Sequence, residues 1–167
     1  MGHPVLRERA RPLDKSDIKS AVVQKLIDDM LDTMHEYHGV GLAAPQVHEG
    51  LRIFVALLDD DPDSKSPATA VINPEIIPNS QATGEGWEGC LSIPDIRGMV
   101  PRYTDITVKA LDRDGHSVDL KLKDFVARVA QHETDHLDGV LFFDRMKSMQ
   151  SLTFLDEYSR FWAKDED

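Results

Sequence analysis

Cysteine, basic charge and long apolar runs are all scarce in this chain, and each scarcity excludes something. Cys90 is the only cysteine among 167 residues, so no intramolecular disulfide can form and a reducing compartment suits the protein better than an oxidising one. No stretch approaches the ~20 consecutive apolar residues of a membrane span. The opening Met1-Gly2-His3-Pro4 lacks the basic-then-apolar order of an export signal, and Leu6 stands where a myristoylation signal needs Ser or Thr. The expectation is a soluble, cytoplasmic protein with no membrane partner. Lys and Arg number 19 against 30 Asp and Glu, a net charge of −11, which argues against nonspecific binding of nucleic acid phosphate as the main activity. The end, Lys164-Asp165-Glu166-Asp167, is acidic too and reads as solvated.

What is present suits one domain over residues 1–167, long enough to bury a real core. There is no internal repeat. Ser16 or Asp17 caps an expected helix whose apolar positions Ile18, Val22, Leu26, Met30, Met34 and Tyr37 recur every three or four residues until Gly39. His35 and His38 fall at its end, where the helix dipole favours them, and His3, His48 and His116 have no ligand-like neighbours in sequence. Leu51 to Leu58 is a nearly continuous apolar run that reads as a buried strand. Thr69 to Asn73 is a shorter strand across the polar loop Asp59 to Pro67. Ile106, Val108 and Ala110 alternate with polar residues, Asp112-Arg113-Asp114-Gly115 offers a turn, and Val118, Leu120 and Leu122 alternate again, which predicts a hairpin. A helix from about Lys123 to Leu137 follows, ended by Gly139. A last helix is expected from Ser148 to Trp162, with Leu152, Leu155, Tyr158 and Trp162 as its docking face. The class is α+β: antiparallel or mixed strands packed around one central functional helix, with further helices near the N- and C-termini.

The run Gln131-His132-Glu133-Thr134-Asp135-His136 carries the chemistry. Positions i and i+4 share a helix face, so His132 and His136 can hold one cation while Glu133 acts on a water beside it. Composition alone produces this five-residue pattern on the order of two times in a hundred chains, so the pattern needs a third ligand to be decisive. Phe125, Val129, His132 and His136 continue one apolar stripe, so the two histidines should point inward; a solvated helix face is the alternative.

Three segments are too specific for loops of ordinary composition: Gly39-Val40-Gly41-Leu42-Ala43-Ala44-Pro45-Gln46, Glu88-Gly89-Cys90-Leu91-Ser92, and Gln131 to Gly139. In order and separation they resemble the three signature motifs of peptide deformylases, and Gly2 to Arg7, Ile93-Pro94, Val100-Pro101-Arg102 and Leu111-Asp112 extend the resemblance over nearly the whole chain. The resemblance implies a metal held by Cys90, His132 and His136, with a fourth position left for water as catalytic metals require. It implies one divalent ion per chain, ferrous iron, with nickel, cobalt or zinc as replacements. The implied reaction removes the N-formyl group from the initiating methionine of nascent polypeptides and releases formate. Glu133 would move the proton, while Gln46 and the Leu91 backbone N–H would stabilise the developing oxyanion. Val40, Phe125 and Val129 are candidates for the methionine pocket, and Gly41, Gly89 and Arg97 for contacts with the substrate backbone. Some relatives contact the ribosome through a basic C-terminal extension, whereas Phe161 to Asp167 ends acidic, so a transient ribosome contact here would take another mode. Two other readings are a metallopeptidase of the same His-Glu-x-x-His type, which Cys90 disfavours, and a metal-stabilised binding module without catalysis.

Overall fold

The computed structural model describes residues 1–59 and 67–163, and among the described residues are eight strands and five α-helices. They are α1 (Lys15–Ile18), α2 (Ala21–Glu36), β1 (Gly41–Ala43), β2 (Ile53–Ala56), β3 (Thr69–Pro78), β4 (Thr83–Cys90) and β5 (Ile93–Tyr103). Then come β6 (Asp105–Leu111), β7 (Ser117–Lys123), α3 (Asp124–Leu137), α4 (Phe142–Arg145), β8 (Thr153–Phe154) and α5 (Leu155–Phe161). The loop expected over Asp59 to Pro67 and the acidic end from Lys164 lie largely outside the described residues. Among the described residues no helix is long and apolar enough to cross a membrane.

The apolar run in β2 is continuous because both faces of its sheet are covered. A five-stranded sheet has the order β1-β2-β3-β6-β7, and side chains alternate across it. Phe54 and Ala56 join Val71, Ile106 and Val108 against Val126, Ala127 and Ala130 of α3. Ile53, Val55 and Ile72 meet Val23, Ile27, Met30 and Met34 of α2 on the other face. The predicted hairpin forms as read, with Val108 opposite Leu120 and Ala110 opposite Val118. A second sheet has the order β4-β5-β8, and its strand β5 packs against α3.

Three expectations need correction. The first helix is broken: Ser20 Oγ accepts the Val23 N–H and caps a new helix there, since a serine at that point offers the backbone a partner outside the helix. The turn rotates the stripe, leaving Val22 and Tyr37 exposed while Val23 is buried. The short strand at Thr69 runs on to Pro78. The final helix is reduced to α5, because Ser148 Oγ caps a 3₁₀ turn at Met149–Ser151 and Thr153–Phe154 pairs with Arg97 and Ile96 of β5 instead.

The end of α3 matches its prediction. Gly139 has φ +72, and its N–H donates to the His136 carbonyl while the Val140 N–H donates to that of Asp135, a Schellman closure. A Cβ at Gly139 would lie 2.6 Å from the Arg7 carbonyl oxygen. Gly139→Ala is therefore expected to destabilise the protein by at least about 1–2 kcal/mol from left-handed strain alone, measured by urea unfolding; unchanged stability would contradict this account of the helix end.

Candidate metal centre

Alternation along β4 places Glu88 and Cys90 on one face, towards α3, with Gly89 on the other. A register shift between Glu88 and Cys90 ends the strand at the cysteine. On α3 the same face carries His132 and His136, and Gln131 docks the helix by accepting the Tyr103 N–H at 3.0 Å and donating to the Tyr103 carbonyl at 2.8 Å. Ligand atoms of Cys90, His132 and His136 all lie within 4.8 Å of one another. The Cys90 Sγ to His136 Nε2 distance is 3.3 Å and that between the two Nε2 atoms 3.2 Å. Around a tetrahedral cation with bonds of about 2.0–2.3 Å, such atoms stand roughly 3.3–3.6 Å apart, so thiolate and imidazoles fit a divalent metal.

The carboxylate behind His132 completes the fit. Glu88 Oε2 lies 2.9 Å from His132 Nδ1, which leaves Nε2 to face the cysteine, the arrangement that orients metal-ligating imidazoles. Burial and the charge of His132 hold His136 well below its ordinary pKa, so its imidazole is neutral, the form that can ligate a metal. For His132 burial opposes the charge, but its hydrogen bonds with Cys90 and Glu88 and the charges of Glu133 and Glu88 outweigh it and raise the pKa to about 10; a cation bound there would replace a proton.

Glu133 is buried, and its Oε2 has no hydrogen-bond partner. Burial pushes its carboxyl up to about 7, with the His132 charge opposing and the Glu88 charge adding. A group near neutrality both accepts and returns a proton readily. Gln46 sits on a 3₁₀ turn after β1. The Ala43 N–H donates to its Oε1 at 2.8 Å, which turns Nε2 towards Ser92 Oγ at 3.3 Å and Cys90 Sγ at 3.5 Å.

One cavity of about 550 Å³ is bordered by Gln46, Cys90, Leu91, His132 and Glu133. Val40, Gly41, Gly89, Arg97, Phe125 and Val129 line it as well, and its size falls within the usual ~300–1,000 Å³ of ligand sites. His136 is fully buried behind that wall. Val129 is buried, whereas Val40 and Phe125 are exposed at the rim, so the inward stripe expected on α3 begins at Val129. The Arg97 guanidinium covers the face of Gly89.

Gly41 has a tighter role than its neighbours. A Cβ there would lie 2.5 Å from Glu133 Oε1 and within 2.9 Å of two further side-chain atoms. Gly41→Ala should displace the carboxylate and lower kcat by about 10²-fold, the scale of an ångström misplacement, with the melting temperature nearly kept. Wild-type kcat in this variant would show that Glu133 has other room.

The sequence reading missed the buried ion network behind the ligands. Arg102 grips Glu88 with two bonds of 2.9 and 3.0 Å and also bonds Asp135. Arg128 reaches Glu88 at 2.9 Å, and Arg145 reaches Asp135 at 2.7 Å. Burial works against the Glu88 charge, but Arg102 and His132 outweigh it and hold its carboxyl at about 2. Glu88 stands two residues before the cysteine, a signal visible only once that segment is read as a strand. His116, read as lacking ligand-like neighbours, does converge with Asp112 and Asp114, where Asp112 Oδ1 accepts the N–H groups of Asp114 and His116 and closes the hairpin turn.

Fold and site together define a metal-dependent hydrolase. Residues 1–152 match the profile of the polypeptide deformylase family. Peptide deformylase 2 of Nostoc sp. is 43% identical over 99% of this chain and 93% of its own length. The structure is similar to that of peptide deformylase from Thermotoga maritima, with a TM-score of 0.79, 43% identity and coverage of 88% of this chain and 94% of that one. It is also similar to the Met-Ala-Ser bound class I type b peptide deformylase from Acinetobacter baumannii, with a TM-score of 0.81, 38% identity and coverage of 87% and 94%. The chain belongs to the polypeptide deformylase family, metal-dependent hydrolases that remove the N-formyl group from the formylmethionine of newly synthesised polypeptides.

Proposed function

We propose that Cys90, His132 and His136 hold the metal of this deformylase and that Glu133, Gln46 and the Leu91 backbone N–H carry its chemistry. The observation that supports this most directly is a buried, unpartnered Glu133 carboxylate oxygen in the same cavity wall as Cys90, His132 and the Gln46 amide. A divalent cation held there supplies Lewis acidity to a water and to the formyl oxygen. Glu133 Oε2 accepts the proton of the attacking water and returns it to the leaving amine nitrogen as the formyl C–N bond breaks, giving formate and a free N-terminus. Gln46 Nε2 and the Leu91 N–H donate to the oxygen on which negative charge develops. Val129, with Val40 and Phe125 at the rim, receives the flexible, polarizable methionine side chain, while Gly41, Gly89 and Arg97 align the peptide backbone.

The metal is ferrous iron in this reading, replaceable by zinc, nickel or cobalt, since thiolate and imidazole suit all of them. The chain acts as one catalytic domain on nascent formylmethionyl polypeptides in the cytoplasm, where Cys90 stays reduced, with transient ribosome contact. The Acinetobacter relative, bound to Met-Ala-Ser, supports a peptide in this cavity. Anaerobic purification with elemental analysis, followed by assays on formyl-Met peptides and on internal peptide bonds before and after air, tests the reading. Deformylation lost on oxidation is expected; air-stable activity would replace iron by zinc or nickel, and cleavage of internal bonds alone would overturn the function.

A further inference from the structure

We propose that Ser92 is a positioning residue for the reaction: its hydroxyl holds the Gln46 amide in register with the Leu91 N–H, so that both donors meet one oxygen. The proposal rests on the deformylase reading above and adds to it a residue to which that reading gives no part. The two donors come from different regions of the fold. Gln46 lies on the 3₁₀ turn Ala44–Val47, which follows β1 of the five-stranded sheet. Leu91 belongs to the second sheet, where Cys90 and Ile93 face each other across β4 and β5, so Leu91 and Ser92 form the turn between these strands. A preorganised pair of donors has to keep its spacing to a fraction of an ångström. Nothing local in the sequence ties one donor to the other, since Gln46 and Ser92 stand 46 residues apart.

Ser92 closes that gap. Gln46 Nε2 donates to Ser92 Oγ at 3.3 Å, while the Ala43 N–H donates to Gln46 Oε1 at 2.8 Å. The two bonds do different things. The Ala43 N–H needs an acceptor, so it decides which end of the amide faces the cavity, yet it leaves that end free to swing about the side-chain torsions. The serine oxygen fixes where it points. An amide nitrogen carries two N–H groups, so one rests on Ser92 while the other is left for the oxygen of the substrate. Cys90 Sγ also lies 3.5 Å from Nε2, but sulfur is a weak acceptor, and in the reading above its lone pairs face the metal. Gln46, Cys90 and Leu91 line the substrate cavity whereas Ser92 stands outside its wall, so Ser92 acts through Gln46 and not on the substrate.

The test is a double-mutant cycle on kcat with a short formyl-Met peptide, joined to NMR of the Gln46 side-chain amide in the zinc-loaded enzyme. Ser92→Ala removes the acceptor and should lower kcat about five- to tenfold, the scale of one neutral hydrogen bond. KM should hold, because the charge that this bond serves develops only in the transition state. Gln46→Ala should lower kcat about 10²–10³-fold, the loss of a whole donor, and adding Ser92→Ala to it should cost nothing further, since the group being positioned is gone. Ser92→Thr, which keeps a hydroxyl at this point, should recover most of the loss. The order parameter of the Gln46 side-chain amide should fall in Ser92→Ala and return in Ser92→Thr. A merely structural serine would instead lower kcat by the same factor with and without Gln46 and leave the order parameter alone. That result, or wild-type kcat in Ser92→Ala, overturns the proposal. Full activity in Gln46→Ala would overturn the reading of Gln46 on which it rests.

Discussion

Glu133→Gln lowers kcat on a short formyl-Met peptide by about 10²–10⁴-fold, the range that a positioned proton-transfer group contributes. Glutamine has nearly the volume of glutamate, so the buried space around Glu133 is neither emptied nor overfilled, and the fold should be kept. What is lost is the proton acceptor: an amide cannot take a proton from water near neutrality. The wild-type carboxyl, pushed up to about 7 by burial, can take it and give it back. Metal content should be unchanged, because the proposed ligand atoms belong to Cys90, His132 and His136. Elemental analysis alongside steady-state kinetics checks both halves. Full activity in Glu133→Gln at saturating metal would remove Glu133 from the mechanism.

Glu88→Ala should act on stability and on the metal at once. Its carboxylate is the common partner of Arg102, Arg128 and His132. Removing one member of a buried charge pair costs about 3–5 kcal/mol, because the other charge stays buried without compensation; in a chain of this size that lowers the melting temperature by roughly 10 °C. Asp135 remains beside Arg102 and limits the damage to that guanidinium, while Arg128 keeps only backbone carbonyls. Losing the partner that orients His132 should also weaken metal binding about 10–100-fold, read by competition with a chelator. Glu88→Gln, which retains an acceptor for His132 and Arg102, should recover part of both losses. Wild-type stability with wild-type metal affinity in Glu88→Ala would show that the buried network supports neither.

The two variants separate proton transfer from the support of the metal. Glu133→Gln changes kcat and leaves metal affinity, whereas Glu88→Ala changes metal affinity and stability, and its kcat at saturating metal should fall far less. Gly41→Ala belongs with the first, since it reaches the carboxylate through steric contact alone.

Elements whose burial repeats locally were legible from the residues. The β6–β7 hairpin follows from strict alternation about a turn, and the end of α3 from Gly139, because both depend on neighbours a few positions away. The candidate metal ligands on α3 follow from helical spacing, and the resemblance added Cys90 and Gln46; the fold then brings Gln46, Cys90 and His132 to one cavity, with His136 buried behind its wall. Strands β4 and β5 were not legible. Thr83-Gly84-Glu85-Gly86-Trp87-Glu88-Gly89-Cys90 has three glycines and two charges, a poor strand by propensity. Its pairing with β5 and the Arg97 and Arg128 side chains lying over Gly89 and Gly86 override that propensity. The same holds for Glu88, whose partners come from 14, 40 and 44 residues away. By itself the sequence determined which groups could bind a metal and move a proton, since those are properties of side chains and of spacing on one helix. Only the tertiary structure decided how they are oriented, because orientation comes from β4 packing on α3 and from charges buried between them, which no local pattern encodes.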